Sequence, residues 1–418
     1  MRKRSNANFV VPYLKKGSTF DEEEVSVIRS ILQNKETLAC GVEREAFERE
    51  FADFLGIKYA FSLTNCTVAL EFATHLIRLE DGDEVIATPF SYQATVQPLL
   101  DKNVTVKFCD IDPNSLCADV GSIEKLITPK TKAVYITHYG GHMVDMDPLM
   151  ELANKHAFIV VEDCAHSLGT SYKGKKSGST AHISCFSFHS MKNISTLGEG
   201  GMIAFNNDQW AKVIYNIRRN EPDAIFASRN VLFGPYSLEP YEFYTHEKNA
   251  FTEDCLKIMH RGTNANLSEV CAAVGRVQLK KLKNFNRCRQ NIASYLDNKL
   301  SQVEELRLQQ VPGHITHSYH LYTVFIHPEF NIDRNALAEY LNQNGVEIVL
   351  RYFPIHLLPE WRLKGGKYGQ CPTTEYIWFT ELLNLPIYPA LIESQLDYTV
   401  EKIIQGLEHC RQRKVSYS

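Results

Sequence analysis

The chain has 418 residues, too many for one ordinary hydrophobic core, so two domains are expected. Apolar residues make up 44% and charged residues 22%, the balance of a globular protein. The formal net charge of −4 gives no basic excess for nucleic acid, and no apolar run reaches the roughly 18 residues that span a bilayer.

In chain order, "MRKR" reads as a solvated tail and "FVVPYL" is too short for a signal-peptide apolar region. A capping box of Thr19 with Glu22 is expected to open a helix through "FDEEEVSVIRSILQ". A second helix follows in "VEREAFEREFADFLG", with Phe47, Phe51, Phe54 and Leu55 on one face. Strands and helices then alternate. "YAFSLT" is a strand and "CTVALEFATHLIRL" a helix; "DEVIATP" is a strand and "YQATVQPLLD" a helix. "VTVKFCDID", "KAVYITHY", "FIVVEDCA", "ISCFSFH" and "GMIAFN" are short β-rich runs, and "DPLMELANKHA" is helical. This alternation predicts an α/β fold with a mainly parallel sheet. From about 218 to 261 the period is lost, which reads as an irregular insertion. Beyond it, "NLSEVCAAVGRVQLKKLKNFNRCRQNIASYLDNKL" predicts one or two long helices. "HLYTVFI", "NALAEYLNQNG" and "VEIVL" then predict a strand, a helix and a strand of a smaller domain. The expected divisions are a tail over 1–19, a large domain over 20–283 and a small one over 284–418. Eleven scattered cysteines without C-x-x-C spacing point to reduced thiols in the cytoplasm and to no zinc site.

Ligands of such sheets bind beyond the carboxyl ends of the strands. There Asp163 ends the most apolar run, and Lys192 follows a later one. Together they make either a buried ion pair or a pyridoxal phosphate site, in which a lysine forms a Schiff base and an acid pairs with the pyridinium nitrogen. "TNCTVALEFATHL" adds a helix start for the cofactor's phosphate, read otherwise as an ordinary N-cap by Asn65 or Thr67. Tyr92 offers a ring to stack on the pyridine, or is a core aromatic. Ser187 offers a hydroxyl, and Gly198, Gly200 and Gly201 allow close backbone approach. "GEGG" does not match G-x-G-x-x-G, which argues against a nicotinamide-dependent dehydrogenase. His138 and His142 flank "YGG" after a strand, and no metal site is expected there.

These residues resemble the DegT/DnrJ/EryC1/StrS aminotransferases, the sugar aminotransferases of fold type I. The resemblance runs from about Val10 to Leu407, through "GDEVIATPFSYQAT", "FIVVEDCAHSLGTSYKGKKSGS", "CFSFHSMKNISTLGEGGMI" and "GTNANLSEVCAAVGRVQL". It implies a seven-stranded, mainly parallel sheet in the large domain and a smaller α+β domain. It implies pyridoxal 5'-phosphate, cycling through pyridoxamine 5'-phosphate. Lys192 would bind the cofactor covalently and then act as general base, and Asp163 would pair with its ring nitrogen. His166 would contact the ring oxygen and Tyr92 would stack. Cys66, Thr67 and Ser187 would hold the phosphate, Cys66 through its N–H. Asn266 would reach the phosphate of the other subunit, which makes the protein a homodimer with shared sites. His189 and His138 are the expected substrate contacts, with a hydrogen-bonded structural role as the other reading of His189. The implied reaction carries an amino group from glutamate or glutamine to a keto sugar, nucleotide-linked. A keto-cyclitol aminotransferase and a non-catalytic regulator keeping the fold are the alternatives.

Overall fold

The computed structural model describes residues 9–13, 15–34, 37–219, 232–233, 236–237 and 261–415. They fall into two compact units, Met1–Asn206 with Leu267–Ser418, and Asn207–Asn266.

The larger unit opens with α1 (Glu22–Gln33) and α2 (Val42–Leu55). The capping box of α1 is Asp21 with Glu24, two residues later than Thr19 and Glu22 suggest. Asp21 has an extended backbone and accepts the N–H of Glu23 at 2.9 Å. Next come β1 (Tyr59–Leu63), α3 (Cys66–Ile77), β2 (Glu84–Ala87), β3 (Thr105–Phe108), α4 (Val120–Leu126), β4 (Thr131–Thr137), α5 (Met146–His156) and β5 (Ile159–Asp163). The short strands β6 (Ser171–Tyr172) and β7 (Lys175–Lys176) precede β8 (Ile183–Ser187) and β9 (Gly201–Phe205). Seven strands form one sheet in the order β1-β9-β8-β5-β4-β2-β3. The pairs from β8 to β3 are parallel, and β9 runs antiparallel to both neighbours. The predicted parallel α/β sheet is therefore observed. "YQATVQPLLD" is not an α-helix but two 3-10 turns, Gln93–Thr95 and Gln97–Leu99. Pro98 has no N–H to continue a helix.

Phe51 of α2 packs edge-on against Phe186 and Phe188, at centroid distances of 4.9 and 5.6 Å, and Phe47 lies tilted against Phe188 at 5.4 Å. Phe54 of the expected apolar face is only partly buried.

In the smaller unit, α6 (Asp208–Ile217) is capped by the Asn207 side chain, and Thr263 N–H donates to the Ile217 carbonyl at 2.8 Å. The two-residue strands β10 (Leu232–Phe233) and β11 (Tyr236–Ser237) pair antiparallel. The rest of the expected insertion over 218–261, apart from Arg218, Arg219 and Arg261, lies outside the described residues.

The C-terminal part of the larger unit begins with one continuous helix, α7 (Glu269–Leu300), capped by Ser268. The expected domain boundary at 283/284 falls inside it. Ala272, Leu282 and Phe285 join the core of α2 and β8, while Ile292, Ala293, Leu296 and Leu300 join a C-terminal core. That core covers a three-stranded antiparallel sheet ordered β12-β14-β15. Its strands are β12 (Leu306–Leu308), β14 (Tyr322–Ile326) and β15 (Leu382–Leu385). Between them, β13 (Ile315–Thr316) pairs with β6. The helices here are α8 (Arg334–Gln343), the short α9 (Pro359–Arg362) and α10 (Pro372–Tyr376), and α11 (Glu393–Val415). "VEIVL" forms no strand. Val346 bridges Val11 and Val349 bridges Asn384, so each finds a single partner from a different segment.

Candidate active site

The carboxyl ends of β1, β4, β5 and β8 converge. Thr137 lies opposite Asp163, and Asp163 opposite Cys185. Leu63 and Ser187 both flank Gly201. A Cβ on Gly201 would sit 2.3 Å from the Asn65 carbonyl carbon and 2.6 Å from the Cys66 nitrogen. Only glycine lets β9 start this close to the N-terminus of α3.

Asp163 is buried, and a hydroxyl web holds it. Its Oδ2 accepts from Thr95 Oγ1 at 2.6 Å and its Oδ1 from Ala165 N–H at 3.0 Å. Ser91 Oγ lies 2.7 Å from Thr95 Oγ1 and accepts from Thr137 Oγ1 at 2.9 Å. Thr95 was not among the expected residues. Its signal, a hydroxyl three residues after Tyr92, is too common to single out.

Lys192 is half-buried. Burial pushes its ammonium down to about 8, against the pull of Asp163 and Cys66 in the other direction. That leaves about a tenth of the amine neutral at pH 7, far more than an ordinary lysine offers, and the neutral form is what a nucleophile or general base needs. The loop around it is fixed from three sides. Lys192 N–H donates to the His189 carbonyl at 2.8 Å, and Ser190 N–H to the Gly198 carbonyl at 2.8 Å. Asn193 Nδ2 donates to Asn286 Oδ1 of α7 at 2.9 Å and to the Ser318 carbonyl at 3.1 Å. Gly17 donates its N–H to the Ser190 carbonyl at 2.8 Å. A Cβ on Gly17 would lie 2.2 Å from the Lys192 carbonyl oxygen.

His166 is buried. Its Nδ1 accepts the Gly140 N–H at 3.4 Å, and its Nε2 lies 3.2 Å from the Tyr352 hydroxyl. Its ring stacks on His320 at 4.3 Å and on Tyr352 at 5.7 Å. Burial, and then the charges of Lys192 and Arg351, push its imidazole well below the usual value, so it is neutral. Tyr92 is 55% exposed, which excludes the core-aromatic reading, and its ring centroid is 6.0 Å from that of Tyr352. Tyr352 and His320 were also missed, because nothing in the sequence connects them to a lysine more than 120 positions earlier.

Cys66 opens α3 and is buried; its thiol is pushed well above the usual range, first by burial and then by Asp163. It is a neutral thiol, consistent with a contribution from its N–H alone. Asn65 caps the helix by accepting Val68 N–H at 2.9 Å. The N–H groups of Cys66 and Thr67 in the first turn have no acceptor within the helix and suit an anion. Ser187 ends β8, with Oγ accepting the His189 N–H at 3.4 Å. His189 Nε2 is 3.7 Å from Glu199, and the residue lines a cavity of about 320 Å³ with Tyr13, Lys15, Glu347 and Arg351. Asn266 belongs to the smaller unit and is half-buried there.

His138 is not brought to this site. It is fully buried, with Nε2 3.6 Å from Glu162 and Nδ1 accepting the Val144 N–H at 3.2 Å. Glu162 precedes Asp163 in β5, so its side chain points to the opposite face of the sheet. The ligand-type atoms of His138, Glu162 and Cys164 lie within 4.8 Å of one another. The Glu162 carboxylate is already served there by protein donors: Gly178 N–H at 2.7 Å, Thr180 Oγ1 and Ala181 N–H at 3.1 Å, and Cys164 Sγ at 3.2 Å.

A lysine with a lowered proton affinity, in the field of a buried carboxylate and near a helix N-terminus, is suited to amine chemistry on a carbonyl. Residues 18–404 match the DegT/DnrJ/EryC1/StrS aminotransferase family; the chain belongs to that family and is an aminotransferase. It is 32% identical to an uncharacterized protein of Methanocaldococcus jannaschii, over 90% of this chain and 92% of that protein. It is 30% identical to the GDP-perosamine synthase of Vibrio cholerae, over 84% of this chain and 87% of that protein. Among solved structures it is similar to PseC of Helicobacter pylori, an aminotransferase involved in the biosynthesis of pseudoaminic acid. That likeness has a TM-score of 0.82 and 25% identity, over 95% of this chain and 99% of that one. Family membership implies pyridoxal phosphate as the cofactor, and the donor set fits it: an amine of low basicity, a carboxylate, a neutral imidazole and a helix N-terminus.

Proposed function

We propose that this chain transfers an amino group from glutamate or glutamine to a nucleotide-linked keto sugar, using pyridoxal phosphate. The observation that carries the reading is Lys192, whose proton affinity burial lowers to about 8 against the opposing pull of Asp163. The sugar part rests on the relatives, a GDP-perosamine synthase and an aminotransferase of pseudoaminic acid biosynthesis.

Bound pyridoxal phosphate would supply an aldehyde carbon for amine exchange and a ring that accepts the electron pair left when a C–H bond breaks. Lys192 would hold that carbon covalently and, once displaced by the donor, take the proton from the donor's Cα as a neutral amine. Asp163, oriented by Thr95 and Ala165, would keep a ring nitrogen protonated through opposite charge. His166 would meet the ring oxygen and Tyr92 would cover the ring. Cys66 and Thr67 N–H and the Ser187 hydroxyl would hold the phosphate. His189 would face the substrate from the cavity it lines. Asn266 would complete the phosphate site of a second copy, which makes the enzyme a homodimer. We place it in the cytoplasm, where free thiols such as Cys40 and Cys288 stay reduced.

The test is spectroscopic. Purified protein with pyridoxal phosphate should turn yellow, bleach on adding glutamate or glutamine, and regain colour with a member of a panel of keto-sugar nucleotides and keto-cyclitols. Lys192→Ala should lose all turnover. Near-normal turnover in that variant, or protein that takes up no cofactor, would overturn the proposal.

A further inference from the structure

Behind the lysine loop lies a second, small cavity of about 20 Å³, lined by Tyr13, Lys16, Gly17, Met191, Arg289, His320, Arg351, Ile387 and Tyr388. About 10–15 Å³ holds one water, so this space has room for one species somewhat larger than a water. Its lining holds three cationic side chains and no carboxylate. The nearest acid in the neighbouring cavity, Glu347, accepts the Tyr13 N–H through Oε2 at 2.8 Å.

Arg289 is 1% exposed. Among the described residues its guanidinium donates only to main-chain carbonyls: Gly17 at 2.6 Å, Ile387 at 2.9 Å and Tyr319 at 3.0 Å. Burial lowers it to about 10, so it stays charged at neutral pH. Arg351 lies over the rings of Tyr13 and Tyr352, at 5.1 and 5.8 Å, and makes no ion pair among the described residues. One buried donor of the lining, Arg289 Nε, has no hydrogen-bond partner among the described residues. Buried cations without a counter-charge are costly, and buried donors are rarely left unused. The neighbours add to this: beyond burial, His166 and then Lys192, Arg289 and Arg351 all push the His320 imidazole down. Tyr13 and Tyr388, both raised to about 12, stay neutral and can donate.

We infer that this cavity binds one monoatomic anion, chloride, which neutralises the Arg289–Arg351 pair behind the lysine loop. The site is separate from the phosphate position at α3. Its small volume favours a monoatomic ion over carboxylate and phosphate groups, and its cationic lining sets the charge.

The experiment is anomalous diffraction from crystals of the full chain, loaded with pyridoxal phosphate and soaked in sodium bromide. A bromine peak in this cavity is expected. Only water in the cavity, or bromine peaks confined to other places, would overturn the inference. A solution arm compares Tm in sodium chloride, bromide, acetate and gluconate at equal ionic strength. The halides should raise Tm in a saturating way, acetate and gluconate should not, and the difference should shrink at least fivefold in Arg351→Gln. Equal Tm in all four salts, or stabilisation by acetate equal to that by chloride, would also overturn it.

Discussion

Glu162 and Asp163 are neighbours in β5, both carboxylates, both buried, and they face opposite sides of the same sheet. Glu162 is surrounded. Four donors from a loop and a cysteine reach it within 3.2 Å, and His138 stands 3.6 Å away. Asp163 is held by Thr95 and Ala165, and otherwise acts on Lys192 through its charge. The first carboxylate has its hydrogen-bonding capacity filled by the chain. The second keeps capacity in reserve and its charge acts on the Lys192 amine. A carboxylate saturated by its own protein supports the fold, and one left partly unserved near a cation is available for chemistry.

The comparison can be broken by exchanging the two losses. Asp163→Asn should cut turnover about 10³-fold, with Tm close to the parent, because the amide oxygen still accepts the Ala165 N–H while its NH2 can donate to the Thr95 hydroxyl. Steady-state kinetics beside a melting curve checks this; a large loss of Tm with intact turnover would reverse the roles. Glu162→Gln should do the opposite, costing about 3 kcal/mol of stability while folded enzyme keeps its kcat. Burial alone would raise the Glu162 carboxyl, but His138 and the hydrogen bonds outweigh it and hold it below its usual value. A folded-state value below the unfolded one adds stability above the ordinary carboxylate range, and acidification through that range removes it. Glu162→Gln should therefore flatten the acid limb of the stability profile, measured by denaturant titration at several pH values.

The lysine side of the comparison has its own pH signature. Only the neutral amine attacks an aldehyde, and Lys192 sits at about 8. The rate at which cofactor-free protein takes up pyridoxal phosphate should rise about tenfold per pH unit below that value and level off above it. A rate still climbing beyond pH 10 would mean that burial does not tune this lysine.

Much of this was legible beforehand. The β-branched run "FIVVED" and the glycine at 201 could be read because burial and close approach leave few residue choices. That Lys192, Asp163 and Ser187 lie near those strand ends followed from chain order in a parallel sheet. What could not be read came from distant segments. Thr95 reaches Asp163 across 68 positions, and Tyr352 reaches His166 across 186. His138 was misplaced for a related reason: it directly follows β4, yet it turns to the Glu162 face. Local spacing says that a residue lies near a strand end but not which face it takes.

Thr95 gives the finest test of the two faces. It is fully buried, and its hydroxyl is the shortest contact to Asp163. Thr180 is its counterpart on the other face, with Oγ1 3.1 Å from Glu162. Valine at either position removes one donor while keeping the branched shape. Losing one hydrogen bond to a charged acceptor is worth about 1.5 kcal/mol, or about tenfold in a rate. In Thr95→Val that loss falls on the carboxylate that would steady the ring nitrogen, so kcat should drop about tenfold with little change in Tm. In Thr180→Val, Gly178, Ala181 and Cys164 still serve Glu162, so kcat should hold and stability should fall by about 1 kcal/mol. Parallel kinetics and melts on the two variants decide it. Equal effects on kcat would mean that the sheet does not separate a structural carboxylate from a chemical one.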